Sequence, residues 1–313
     1  MTYAIPMTER FRGITVREGM LIEGPAGWGE FCPFPEYDDQ VAASWLATAI
    51  EAATIGWPEP VRDRIPVNAT VPAVGPERAH EIVTASGCRT AKIKVADHPD
   101  SLAEDLARVE AVRDALGPSG AIRVDANGLW DVDTAVTRIK ALDRAAGGLE
   151  YVEQPCPSID DLAAVRRRVD VRIAADESIR RADDPLKVAV AGAADIAVIK
   201  CTPLGGVRRS LEVAAAAGLP CVISSALETS VGLAAQLALA GALPELDFAC
   251  GLGTLALMTG DVVPLSLRPV DGFLPVPRTP PVPDPARLEQ FRITDPARDR
   301  WWRERLARAT ELL

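Results

Sequence analysis

Through the middle of the chain, short apolar runs alternate with longer stretches in which apolar residues recur every three or four positions. The runs fall at 66–71, 90–95, 121–124, 149–152, 171–174, 196–199 and 220–223. The amphipathic stretches fall at 76–86, 101–116, 132–145, 159–169, 185–191, 207–216 and 229–242. Short buried runs read as strands and the longer period as helix. Several helical stretches begin beside an early proline, as at Asp184-Pro185, or stop at glycine, as at Gly117 and Gly218. Strands alternating with helices are parallel βα units. Seven such units, with an eighth strand near 247–250, predict an α/β fold, a TIM-type (β/α)7β barrel rather than an open sheet.

The two ends do not follow this rhythm. Residues 14–17, 20–23 and 27–31 read as short strands around Gly24-Pro25, and a helix follows over 39–55. Beyond about residue 256 the chain turns Pro-rich, from Pro264 to Pro285, and closes with a charged helix over 296–312. Together the ends predict one α+β capping domain beside the barrel. The expected division is 1–60 for the N-terminal part of the cap, 61–255 for the catalytic barrel, and 256–313 for the segment returning to the cap.

In a βα barrel the chemistry lies at the C-terminal ends of the strands. Those ends read Lys92-Ile93-Lys94, Asp125-Ala126-Asn127, Glu153-Gln154-Pro155, Asp176-Glu177 and Lys200-Cys201. The steps 94→125→153→176→200 are 31, 28, 23 and 24 residues, about one βα unit each, so these groups converge on one mouth. Asp125, Glu153 and Asp176 would repel one another unless neutralised, and hard oxygen donors with open positions suit Mg2+, with Mn2+ able to stand in. Period two turns Lys92 and Lys94 to one face of their strand, and Arg123, Asp125 and Asn127 to one face of theirs. Lysines two and six strands along the barrel approach such a metal from opposite sides, where desolvation and like charge lower their pKa and favour a proton-accepting amine. The constellation points to proton abstraction next to a carboxylate, with the metal stabilising the enediolate.

Composition narrows the alternatives. The 313 residues are 48% hydrophobic and 25% charged, with a net charge of −10. An acidic chain without a basic cluster is a poor partner for nucleic acid or an anionic membrane. The apolar stretch over 231–243 is interrupted by Gln236 and too short to span a bilayer. Residues 1–10 lack the pattern of a secretory leader, and the six cysteines (32, 88, 156, 201, 221 and 250) are scattered, so reduced thiols in a cytoplasm are expected. His80 and His98 are the only histidines, which leaves little material for zinc or Ser-His-Asp chemistry. Of 34 basic residues only five are lysines, at 92, 94, 140, 187 and 200. Arg cannot serve as a proton-transferring base, so the strand-end lysines stand out.

With these residues in view, the chain resembles the enolase superfamily, muconate-lactonizing subgroup. The resemblance runs from Gly27-Trp28-Gly29-Glu30 through the Lys-x-Lys, Asp-x-Asn, Glu-x-Pro and Asp-Glu motifs to Ile199-Lys200. Closer cues are Arg123 two residues before Asp125, the segment Ser224 to Gly232, and Gly251 to Leu255. A Lys base working with Mg2+ is a general pattern of enolase-superfamily sites. The resemblance implies that Lys94 is the base, that Asp125, Glu153 and Asp176 bind Mg2+, and that Lys200 stabilises the dienolate from across the ring. It implies syn-dehydration of a small carboxylate, 2-succinyl-6-hydroxy-2,4-cyclohexadiene-1-carboxylate, with Lys94 returning its proton to the departing hydroxyl. Lys92, Arg123, Asn127, Ser225 and Gly251 are candidate substrate contacts. For Lys92 a supporting place behind the reacting groups is favoured, and for Arg123 a buried ion pair below the metal competes equally. Glu177 reads as a hydrogen-bond partner, and Gly27 to Glu30 as a structural turn. One departure from relatives is the short first hairpin, about 7–12, where they carry a longer lid loop, so a wetter mouth is expected.

Two alternatives stay open. N-acylamino acid racemases and dipeptide epimerases of the same superfamily also use two opposed lysines. The segment Cys250 to Leu255 has no carboxylate for a substrate ammonium, which counts against the dipeptide version. A catalytically dead scaffold is disfavoured by the full set of lysines and carboxylates. The sequence leaves the oligomeric state open.

Overall fold

A computed structural model describes residues 1–180 and 192–313; the helix expected over 185–191, with Asp184-Pro185 and Lys187, lies outside the described residues. Seven parallel strands form one curled sheet: β5 (Ala69–Val71), β6 (Thr90–Lys94), β7 (Ala121–Asp125), β8 (Tyr151–Glu153), β9 (Ile173–Ala175), β10 (Ile196–Ile199) and β11 (Cys221–Ile223), each hydrogen-bonded to the next in sequence. The eighth position is reduced to two parallel bridges, Val67 with Cys250 and Ser224 with Gly251, which close the gap between β11 and β5.

Register explains how the barrel interior is built. Lys92, Arg123 and Tyr151 lie abreast on β6, β7 and β8, and two residues on, Lys94, Asp125 and Glu153 lie abreast. Side chains two apart share a face, so the inward positions form two layers. The lower layer is largely apolar: Tyr151, Ala174, Ile196, Val198, Val222 and Phe248 make one buried cluster. The upper layer holds Lys94, Asp125, Glu153, Asp176, Lys200 and Ser224. The outward faces of the strands carry Val and Ile against the surrounding helices, where the main core lies.

The helices follow the expected stretches. They are α2 (Pro76–Ser86), α3 (Leu102–Leu116), α4 (Val132–Ala146), α5 (Ile159–Arg166), α8 (Val207–Ala217) and α9 (Ser230–Ala242), with one-turn helices α6 (Glu177–Arg180) and α7 (Cys201–Leu204) following strand ends. Helix α9 is buried on all sides, as its nearly unbroken apolar sequence requires. Among the described residues no helix is long and apolar enough to cross a membrane.

The cap is an antiparallel sheet, β1 (Thr2–Phe11), β2 (Ile14–Gly24) and β3 (Gly27–Phe31), packed on α1 (Asp39–Thr54). Asp38 caps α1 by accepting from the Val41 N–H at 2.8 Å. Strand β1 was not foreseen, and the two short strands expected at 14–17 and 20–23 are one continuous β2. The C-terminal segment returns as β12 (Phe273–Pro275), antiparallel to β4 (Arg64–Pro66), then as α10 (Pro285–Gln290) and α11 (Pro296–Thr310), which packs on α1. The β1–β2 turn is two residues long. Arg12 (φ 50°) and Gly13 (φ 80°) both take the left-handed conformation that a tight hairpin demands.

Candidate active site

Three lysine side chains and three carboxylates meet at the upper layer of the barrel, Lys92 reaching it from the layer below. Lys94 Nζ donates to Asp125 Oδ2 at 2.5 Å and to Asn127 Oδ1 at 2.7 Å. Lys92 Nζ straddles both oxygens of Glu153 at 2.8 and 2.9 Å and lies 3.6 Å from Asp125. Lys200 Nζ donates to Asp176 Oδ2 at 2.5 Å from the far side of the cavity. Asn127 also receives structure from both neighbours: its N–H donates to Asp125 Oδ1 at 3.0 Å, and its side-chain amide donates to Glu177 Oε1 at 3.3 Å.

Burial and mutual charge set different protonation tendencies. Burial alone pulls a lysine pKa down, but for Lys92 the carboxylates of Glu153 and Asp125 outweigh it and hold the ammonium well above the ordinary value. For Lys94 burial wins, helped by the positive charge of Lys92, and the pKa is lowered despite Asp125. Burial acts against the Asp125 carboxylate, yet Lys94 and Lys92 hold its pKa well below the usual range. Glu153 is pushed up to about 7 by burial and by the charge of Asp125.

Glu153-Gln154-Pro155 has a scaffold role that the sequence did not reveal. The Gln154 carbonyl oxygen Oε1 accepts from the backbone N–H of Asp176 at 3.0 Å and of Ser178 at 3.2 Å, and its amide donates to Ser178 Oγ at 2.7 Å. Gln154 itself sits at φ 40°. It thereby locks the end of β9, and with it Asp176, to the end of β8.

The cavity above these groups is lined by barrel and cap together. Lys92, Lys94, Asp125, Asn127, Asp176 and Lys200 form its floor, and Ser224, Ser225, Gly251 and Thr254 its far wall. Gly251 is pressed against the neighbouring strand end, where a Cβ would meet Ser224 Oγ at 2.7 Å. Ser225 Oγ donates to Glu228 Oε2 at 2.6 Å, and the same oxygen accepts from the Ala226 N–H at 2.7 Å. The other Glu228 oxygen accepts from Thr202 Oγ1 and Gln236 Nε2 at 3.1 and 2.8 Å. Glu228 is therefore a fully buried carboxylate that fixes the loop carrying Ser225.

Arg123 is not a cavity residue. It lies one layer below Asp125, fully buried, donating to Glu150 Oε2 at 2.5 Å and to the Ala249 carbonyl at 2.6 Å, with its guanidinium 4.7 Å from the Tyr151 ring. Period two put it on the right face at the wrong depth. Its geometry is the buried ion pair, and substrate contact is not supported.

The cap reaches further over the mouth than the short hairpin suggested. Phe11 and Arg12 at the hairpin turn, with Phe34, Tyr37 and Trp45, line the cavity, and Lys94 Nζ lies 5.3 Å from the Phe11 ring centre. Thr70, another lining residue the sequence did not single out, is buried with its hydroxyl unpartnered. Cap and barrel are joined by Glu30, which accepts from Thr229 N–H, Thr229 Oγ1, Gly232 N–H and Tyr3 OH. Gly29 lies so close to α1 that a Cβ would meet the Ala49 carbonyl oxygen at 2.0 Å. The Gly27 to Glu30 motif is thus a packing device, but as part of strand β3 rather than as the turn expected.

Asp125, Glu153 and Asp176 offer oxygen donors alone, with no His or Cys among them, and hard oxygen ligands are what Mg2+ takes. Among the described residues no three His, Cys, Asp or Glu side chains are drawn around one point, and Lys94 and Lys200 each bond one of these carboxylates. The donor set fits a hard divalent cation.

Residues 76–280 match the family model described as enolase C-terminal domain-like, and residues 2–53 the one described as enolase N-terminal domain-like. The o-succinylbenzoate synthase of Thermobifida fusca is 62% identical over 98% of this chain and 94% of its own length. That of Mycolicibacterium smegmatis is 55% identical over 99% and 94%. Among solved structures, a muconate lactonizing enzyme from Pseudomonas fluorescens complexed with muconolactone superposes with a TM-score of 0.80. It covers 94% of this chain and 97% of that one at 23% identity, a likeness of fold.

Proposed function

We propose a reaction from one premise: this chain belongs to the enolase superfamily. The reaction is the Mg2+-dependent syn-dehydration of 2-succinyl-6-hydroxy-2,4-cyclohexadiene-1-carboxylate to 2-succinylbenzoate, a step of menaquinone biosynthesis carried out in the cytoplasm. Identity of 55 to 62% over nearly the whole chain to proteins named o-succinylbenzoate synthase supports it. The single structural observation that carries the chemistry is the buried Lys94 amine, of lowered pKa, at the floor of the cavity. The six cysteines are free thiols, in keeping with a reducing compartment.

In this reading Asp125, Glu153 and Asp176 hold the divalent cation. When bound, it supplies charge stabilisation for a substrate carboxylate that becomes more negative as the neighbouring carbon loses its proton. Lys94, as a neutral amine, takes that proton from the carbon next to the ring carboxylate. The C–O bond at the adjacent carbon then breaks, the ring becomes aromatic, and Lys94 gives its proton to the departing hydroxyl so that water leaves. Lys200, on the opposite side and anchored by Asp176, remains an ammonium whose charge favours the developing anion. Lys92 stays paired with Glu153 and keeps both oriented. Ser225 and Gly251 shape the wall that receives the substrate.

N-acylamino acid racemisation uses the same pair of opposed lysines and is the second reading, since both line one cavity. Purified protein assayed with the cyclohexadiene substrate beside a panel of N-succinyl amino acids separates the two. Formation of 2-succinylbenzoate far faster than any racemisation supports the dehydratase. Racemisation without dehydration overturns it.

A further inference from the structure

The substrate of the proposed reaction carries two carboxylates, one on the ring and one at the end of a flexible succinyl chain. The ring carboxylate belongs with the barrel floor. The floor cations are committed: Lys92 to Glu153, Lys94 to Asp125 and Lys200 to Asp176. Arg17, buried near the same wall, donates to the carbonyls of Leu227 and Ala226. Arg12 is different. Among the described residues it is the cavity-lining cation that forms no ion pair.

Its side chain is nonetheless held. The guanidinium stacks 4.4 Å from the Phe34 ring centre and donates to Tyr37 OH at 3.2 Å. Phe34 and Tyr37 in turn pack against Trp45, with ring centres 5.9 and 6.2 Å apart. Trp45 also lines the cavity, is almost wholly buried, and its indole N–H has no acceptor. A buried donor without an acceptor is costly and rare. Arg12 further occupies a turn position at φ 50° where Gly or Asn is favoured, and backbone strain held at a site is a pointer to function. One corner of the cap thus presents a planar cation beside aromatic walls that suit a methylene chain.

We propose that Arg12 anchors the remote carboxylate of the substrate and so determines specificity for dicarboxylates. The proposal rests on the dehydratase reading for the identity of the substrate. A guanidinium fork matches a carboxylate in plane, which an ammonium does not.

The test compares two ligands on the intact protein with Mg2+ present: 2-succinylbenzoate, and 2-butanoylbenzoate, in which a methyl replaces the remote carboxylate. Arg12→Met is expected to weaken 2-succinylbenzoate by about 10- to 100-fold and leave 2-butanoylbenzoate unchanged within about twofold. Arg12→Lys recovers part of the loss. In turnover the effect falls on KM more than on kcat. Arg12→Gly, which suits the turn, gives the same selectivity loss and separates the side chain from the backbone. Equal weakening of both ligands, or none of either, overturns the anchor. N-succinyl amino acids carry the same remote carboxylate, so the selectivity loss measured with them sustains the anchor even if wild type fails to dehydrate. That failure would count against the dehydratase alone.

Discussion

Lys92 and Lys94 leave the same face of one strand, yet the first is a fixed cation on Glu153 and the second an amine inclined to lose its proton. Two carboxylates close to Lys92 outweigh its burial, whereas Lys94 keeps the desolvation penalty and the repulsion of its neighbour. The difference predicts a pH dependence. In the proposed mechanism the reactive form of Lys94 is neutral, so kcat/KM is expected to rise with pH through its pKa in the protein, below the ordinary lysine value of about 10.4. Lys92 contributes no such limb because its ammonium persists. A pH–rate profile at saturating Mg2+ checks this. A rise only at the ordinary lysine value contradicts it.

Asp176→Asn is expected to weaken divalent-cation binding and lower turnover by about a thousandfold or more, while the circular dichroism spectrum stays that of the wild type. The same change strips Lys200 of its partner, which is only slightly exposed, and costs about 1–3 kcal/mol of stability. Calorimetric Mg2+ titration and thermal melting read the two effects separately. Full activity in excess EDTA would remove the metal from the account.

Arg123→Met breaks a buried ion pair below the floor and leaves the Ala249 carbonyl without its donor. A loss of about 1–3 kcal/mol in stability is expected from that unpaired carbonyl, since Glu150 keeps access to water, with KM for the substrate little altered. Arg123→Lys keeps the charge but not the fork, and falls between. An Arg123→Lys variant with wild-type stability but a raised KM would return Arg123 to the substrate.

Glu228 and Ser225 act as a unit. Glu228→Gln replaces an acceptor by a donor where Ser225 Oγ, the Ala226 N–H, Thr202 Oγ1 and Gln236 Nε2 all donate. A stability loss of about 2 kcal/mol and a kcat/KM about tenfold lower are expected. In a double-mutant cycle with Ser225→Ala the effects on kcat/KM are non-additive. Strict additivity would mean that Glu228 does not act through Ser225.

Much of the barrel was legible because each strand pairs an apolar run with a strand-end charge, so Lys94, Asp125, Glu153, Asp176 and Lys200 could be placed by counting βα units. Depth was harder to read. Arg123 and Asp125 share a face, and only the register of the sheet puts Arg123 beside Tyr151 and below the cavity. Strand β1 went unseen because its alternation is interrupted by Pro6 and its partner lies in a strand the sequence broke in two. Arg12, Trp45, Thr70 and Glu228 carry no motif of their own. They matter through surroundings built by residues distant in sequence, which no local period encodes.

In the proposed mechanism Lys94, rather than Lys200, moves the proton. Single-turnover dehydration of the cyclohexadiene substrate by Lys94→Arg and Lys200→Arg, each with saturating Mg2+, tests it most directly. Arginine keeps the charge at either position but cannot accept a proton at neutral pH. Lys94→Arg is expected to lose about a thousandfold or more in rate, while Lys200→Arg keeps measurable dehydration. Dehydration retained by Lys94→Arg and abolished in Lys200→Arg would contradict it and reverse the two roles.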